Sequence, residues 1–332
     1  MNKLYSAGIL GIGYYVPEKI ITNEYIKKYM DTTEEWIEEM TGVRTRHFAA
    51  DDQATSDLAI IAAQKALEHA KISPMDIDMV ILATACPDMA FPSTACIVQD
   101  KLGCKNAAAF DLSAGCSGFV YNMALATQMV ATGMYKNVLV IGSEVLSKIL
   151  NMPDRNTGML FGDGAGAAVI GRVEDGYGAL AFDLGSDGSG ASSLLQPAGG
   201  ARMPASAETV ANNLHAIHMK GKEVFKFASK VMSSATFKVL EKAGMSTADI
   251  DLFVPHQANI RIIDFATSKM NIPKEKVMIN IEKYGNTSGA SIPIAICEAL
   301  EAGRIKKGDN LLLVGFGAGL TWAACVLKWS ID

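Results

Sequence analysis

Among its six cysteines and five histidines, the 332-residue sequence has no CxxC pair and no Cys/His cluster at zinc-ligand spacing. No metal site is therefore expected. Cys86, Cys96, Cys104, Cys116, Cys297 and Cys325 are expected as free cytosolic thiols. There is no excess of basic charge. A formal net charge of −5 gives no global pull toward nucleic acid or an anionic membrane, so an acidic partner must meet a local basic patch. Nucleotide fingerprints are missing too. GIGYYVP (11–17) lacks the third glycine of a dinucleotide loop, and FGDGAGAAVIG (161–171) lacks both that pattern and a Walker lysine. The start, MNKLYSAGILGIGYYVPEKI, has neither a continuous apolar core nor a cleavage site, so no signal peptide is expected. The nearest approach to a membrane span is LLLVGFGAGLTWAACVL (311–327), which also reads as two buried strands joined by a turn.

What is present is a globular composition, 49% hydrophobic and 20% charged, with 30 glycines for tight turns. An internal repeat organises it. KALEHAKISPMDIDMV (65–80) returns as KVLEKAGMSTADIDLF (238–253), and ATGMYKNVLVIGSE (131–144) is echoed by EAGRIKKGDNLLLVGFG (301–317), where Gly142 and Gly315 are again 173 apart. A period this long, seen twice, marks two homologous halves rather than a solenoid. Their boundary is placed at 1–180 and 181–332. Each half reads strand-helix-strand-helix-strand, which predicts an α/β fold with mainly parallel sheets covered by helices. The match of 311–315 to the buried strand at 138–142 also disposes of the membrane reading.

Ligands of such folds gather beyond the carboxyl ends of the strands. There the sequence places Cys116 in DLSAGCSGF, His256 in VPHQAN and Asn286 in YGNTSGAS. Cys116 precedes a helical pattern, whose N-terminus is expected to lower the thiol pKa and favour a nucleophile. A buried structural cysteine is the alternative. His256 suits a fixed donor or base, or a core histidine, and Asn286 a donor or a simple helix cap. The small residues of GFGAG are suited to an oxyanion hole or only to a hairpin turn.

Taken in order, DTTEEWIEEMTGVRTRH, FPSTAC, DLSAGCSGF, DRNTGMLFGDGAGA, GKEVFKFA, VPHQANIRII, YGNTSGASIP and GFGAGLTW resemble the β-ketoacyl-acyl carrier protein synthase III family almost end to end. The resemblance implies a thiolase-like fold in α-β-α-β-α layers and the initiating condensation of type II fatty acid synthesis, without a cofactor. Acyl-CoA would acylate Cys116. Malonyl-acyl carrier protein would then lose CO2, with His256 and Asn286 stabilising the enolate, and the carbanion would take the acyl group. The N–H groups of Cys116 and Ala318 would form the oxyanion hole, with Phe316 as an aromatic gate. Trp36, Thr41 and Arg155 would hold the CoA adenine and phosphates, and Gly221 and Phe225 the pantetheine arm. Lys226, Arg261 and Lys269 would meet the carrier protein. Phe91 would cross a homodimer interface into the partner's acyl pocket, alongside Leu146, Leu160, Phe161 and Ile217. A cytoplasmic location follows.

Four residues depart from the family pattern. Met40 stands where an arginine is common near the adenine, Gly115 and Ser117 replace alanines beside the nucleophile, and Ala318 replaces a glycine. A Cys-His-Asn relative serving polyketide or signal synthesis, and a silent CoA-binding scaffold, are the competing expectations. The HMG-CoA synthase branch is less expected, because no recognised motif supplies its glutamate base.

Overall fold

The two apolar runs that repeat at 138 and 311 become the central strands of two separate sheets. The structure is a computed structural model and describes residues 4–332. In the first sheet β1 (Ala7–Tyr15), β2 (Met79–Ala83), β3 (Ala108–Leu112), β4 (Val138–Glu144) and β5 (Gly164–Arg172) lie in the order β1-β5-β4-β2-β3. In the second, β6 (Gly178–Ser186), β7 (Leu252–Pro255), β8 (Asn310–Gly317) and β9 (Thr321–Lys328) lie in the order β7-β8-β9-β6. Read from opposite ends the two orders agree. The counterpart of β3 is reduced to one parallel bridge between Phe253 and Val277.

Two expectations are corrected. The sheets are mixed: β2 is parallel to β3 and β4, and β7 to β8, while β5 and β9 run antiparallel to both their neighbours. β8 reaches β9 through the short turn at Ala318–Leu320, and a turn that short can only reverse the chain. Runs buried on both faces look alike in either direction, so pattern alone did not reveal this. The proposed boundary after residue 180 falls inside β6, which pairs along its length with β9. The turn at 173–177 lies just before it.

Seven helices among the described residues are eight residues or longer: α1 (Glu34–Thr41), α2 (Thr55–Ala70), α3 (Thr94–Leu102), α4 (Gly118–Ala131), α5 (Gly221–Ala243), α6 (Ile260–Met270) and α7 (Ser291–Glu301). α4 and α7 are apolar nearly all round, as a helix enclosed on both sides must be. Phe119, Met123, Ile292 and Ile296 share one core with Ile81 and Val140 of the first sheet and Leu252 and Leu313 of the second. Outside, α2 and α3 pack on the first sheet and α5 on the second, with α6 beside it. The layers run α-β-α-β-α. The stretch 311–327 is the β8–β9 hairpin, and no helix of the described residues is long and apolar enough to cross a membrane.

Candidate active site

The site forms where the two halves abut. Beyond β3 the chain enters a 3-10 turn at Gly115–Ser117 and then α4. Gly115 has φ 53°, and a side chain there would put its Cβ 2.7 Å from the Ala318 nitrogen. A Cβ on Gly317 would collide with the Cys116 nitrogen. The nucleophile turn and the β8–β9 turn are therefore interlocked, each leaning on the other's backbone. Neither Cys116 nor Ala318 gives its N–H to a backbone carbonyl among the described residues. Two free donors in adjacent turns suit an oxyanion. Ser117 ties the same turns together: its Oγ lies 2.7 Å from the Ala114 carbonyl and 2.8 Å from Thr321 Oγ1, which itself donates to Ala114.

Cys116 is buried, and desolvation pushes its thiol up to about 12, with the Glu144 carboxylate adding to the rise. A hydrogen bond with Ser288 and the residue's own N–H oppose it. The loss of water opposes the lowering expected from the helix start. Cys116 lies in the turn ahead of α4, and no cation offsets the loss of water. At rest it is a thiol.

His256 follows β7 and is 1% exposed, its N–H bound to the Val314 carbonyl. Its Nδ1 lies 2.6 Å from Ser291 Oγ, and that oxygen accepts the Gln257 N–H at 3.3 Å. With the Ser291 hydroxyl assigned as the donor to Nδ1, the ring proton sits on Nε2. Burial lowers the ring to about 3, so it is neutral. The ring stands edge-on to Phe316 at 5.4 Å. Asn286 is clasped by Leu160 O and Gly162 N through its backbone, and its Oδ1 accepts the Ser288 N–H at 2.8 Å. That bond to the first residue of the 3-10 turn at Ser288–Ala290 fixes the amide, and the Asn286 side chain borders the same cavity as Cys116 and His256. His256 and Asn286 are thus two neutral donors.

A cavity of about 720 Å³ brings these groups together. Trp36 and Arg155 border it with Cys116, His256, Asn286 and Phe316. Its volume is that of a small-molecule site. The Arg155 guanidinium stands 5.6 Å from the Trp36 ring and 3.9 Å from Asp31. Thr41, Gly221 and Phe225 line the walls. The Thr41 hydroxyl is engaged by the Ile37 carbonyl at 2.6 Å, so it offers surface rather than a hydrogen bond. Arg261 lines the cavity, its Nη1 3.4 Å from Met40 Sδ. Lys226 is exposed beside Phe225, and Lys269 sits in the last turn of α6, about 12 Å along the axis from Arg261.

A smaller cavity of about 100 Å³ adjoins Cys116, lined by Leu146, Phe161 and Ile217 with Ser288 and Ala318. Leu160 faces the larger cavity instead. Phe91 is 84% exposed and borders neither cavity of its own chain. Three residues escaped the sequence reading: Glu144, Ser288 and Ser291. Glu144 ends the apolar run VLVIGSE, and a carboxylate closing such a strand was the available signal. Ser288 and Ser291 carry none, because serine after Asn-Thr reads as ordinary capping.

Family models described as 3-oxoacyl-(acyl-carrier-protein) synthase III and its C-terminal part match residues 110–188 and 240–329. A β-ketoacyl-(acyl-carrier-protein) synthase III of Caldanaerobacter subterraneus subsp. tengcongensis is 61% identical over 330 residues, 99% of this chain and 100% of that protein. The chain belongs to the 3-oxoacyl-(acyl-carrier-protein) synthase III family. A crystal structure of the synthase III from Thermus thermophilus is similar with a TM-score of 0.91 and 48% identity, covering 98% of this chain and 100% of that one. The priming β-ketosynthase of a polyketide pathway reaches a TM-score of 0.92 at 35% identity, covering 100% and 98%. The synthase III fold is thus shared with polyketide priming, while the identity lies with fatty acid enzymes.

Proposed function

We propose that the chain is the initiating condensing enzyme of type II fatty acid synthesis, joining an acyl-CoA primer to malonyl-acyl carrier protein. One observation carries the reading: a single cavity holds one thiol and two neutral donors, His256 and Asn286. Cys116 attacks the primer thioester, and the N–H groups of Cys116 and Ala318 hold the oxyanion while CoA leaves. The malonyl thioester then enters. Its carbonyl oxygen takes hydrogen bonds from His256 Nε2 and Asn286 Nδ2, which strengthen as CO2 departs and charge moves onto that oxygen. A neutral donor serves better than a cation here, since the charge exists only during the step. The carbanion attacks acyl-Cys116 and yields β-ketoacyl-acyl carrier protein. Side chains and backbone N–H groups perform every step, so no cofactor is called for.

In this reading Trp36 and Arg155 clamp the CoA nucleotide at the surface, and Arg261, reaching Met40, supplies the guanidinium that position 40 lacks. Arg261 and Lys226 meet the acidic carrier, with Lys269 at the margin. Exposed Phe91 enters a second copy's acyl pocket across a dimer formed at the open β3 edge of the first sheet. The six free thiols accord with work in the cytoplasm.

Mass spectrometry after mixing with a panel of acyl-CoAs tests the core of this. Cys116 should carry the acyl mass, and Cys116→Ala none; label persisting on the variant would reject the nucleophile. Turnover with malonyl-carrier protein rather than malonyl-CoA separates fatty acid initiation from polyketide or signal chemistry.

A further inference from the structure

The nucleophile of the proposed reaction has a proton to lose and no cation beside it. His256, on one side, already bears its ring proton on Nε2, and burial holds the ring far below the range of a useful base. On the other side stands Ser288, which borders the smaller cavity together with Cys116. Ser288 has φ 49°, a left-handed backbone rarely adopted by a residue other than glycine. That turn directs its Oγ to within 3.0 Å of Glu144 Oε1.

Glu144 is fully buried at the end of β4. Its Oε2 accepts from Thr84 Oγ1 at 3.1 Å, the Ala85 N–H at 3.0 Å and Cys86 Sγ at 3.1 Å. Every neighbour of this carboxyl is a donor, the surroundings an anion requires. The titratable groups facing it are the Cys86 and Cys116 thiols, and no Lys, Arg or His is among its hydrogen-bond partners in the described residues. Burial raises the carboxyl pKa, which brings it nearer that of a thiol and makes it the better acceptor.

We propose that Glu144 takes the Cys116 proton through Ser288 during acylation and returns it after condensation. This rests on Cys116 being the acylated nucleophile. As the sulfur bonds to the primer carbonyl, the thiol proton passes to Ser288 Oγ and the serine's own proton to Glu144 Oε1. The tetrahedral adduct collapses, the carbon–sulfur bond to CoA breaks with its electron pair on CoA, and the departing thiolate is protonated by water. When the carbanion later attacks acyl-Cys116, the electron pair returns to the cysteine sulfur. The stored proton then travels back through Ser288. One proton is drawn from solvent per turnover, which balances the loss of CO2 from a carboxylate. Glu144 thereby acts through Ser288, never touching substrate.

The test is the rate of acyl-Cys116 formation between pH 6 and 10, followed by mass spectrometry, for the native chain, Glu144→Gln and Ser288→Ala. Each variant should acylate about 100-fold more slowly at pH 7 and recover roughly tenfold per pH unit as hydroxide replaces the relay. The double variant should be no slower than either single one. A native pH profile in both variants, or a drop by the same factor at every pH, overturns the relay and leaves these residues a structural part. Should Glu144→Gln fail to fold, Ser288→Ala alone decides by its profile. A native chain that is not acylated, or is acylated elsewhere than Cys116, would instead sink the nucleophile reading itself.

Discussion

Gly115 and Ser288 share one left-handed backbone, at φ 53° and 49°, at matching positions of the two halves. Each opens a 3-10 turn, Gly115–Ser117 and Ser288–Ala290, that leads into a central helix. The same turn was therefore built twice. In the first half it presents the thiol, and in the second it sets a hydroxyl against Glu144 and holds Asn286 in place.

Gly115→Ala tests how tightly the first turn is held. The left-handed backbone costs a side chain about 1–2 kcal/mol, and the new Cβ would press on the Ala318 nitrogen. Urea unfolding should show a loss of that order. Acylation should slow as well, because the displaced nitrogen is half of the oxyanion hole.

His256→Ala and Asn286→Ala should separate the two half-reactions. Both variants should still form acyl-Cys116, while CO2 release from the malonyl substrate falls by about 10²–10³. Normal CO2 release by either would remove that residue from its role.

Ser291→Ala addresses the tautomer. Losing the hydroxyl at Nδ1 frees the imidazole to carry its proton on either nitrogen. Nitrogen NMR of the native chain should show a neutral ring protonated at Nε2 throughout pH 5–8, since it titrates near 3. The variant should show mixed tautomers and about tenfold slower decarboxylation, with acylation intact.

Arg155→Ala should raise the KM for acyl-CoA by about tenfold and leave kcat alone. The guanidinium meets Trp36 at the cavity's surface, far from any bond that changes.

Leu146→Ala and Ile217→Ala should lengthen the accepted primer. The cavity they line holds about 100 Å³, the smaller of the two that meet at Cys116. Competition between acetyl-CoA and hexanoyl-CoA should shift toward the longer primer in both variants.

The repeat and the two-half architecture were legible because equal elements recur at a constant spacing. Cys116 and His256 could be picked out because each interrupts a pattern just past a strand, whereas Asn286 follows a short helix, Ile281–Tyr284, rather than the expected strand end. Strand direction was not legible, since β5 and β9 bury both faces. The thiol's raised pKa was not either, because it depends on how much water the other half excludes. Glu144 was hidden for a related reason: a carboxylate at a strand end reads as surface until the opposing turn closes over it.

The interlock between Ser117 and Thr321 joins residues 204 apart in sequence. Contacts of such separation form late, after the chain between them has ordered. Helical signal should therefore recover on refolding before any acyl-transfer capacity returns. Acylation competence is thus a stricter measure of the native state than any spectrum, and a preparation can look folded while every molecule in it is inert.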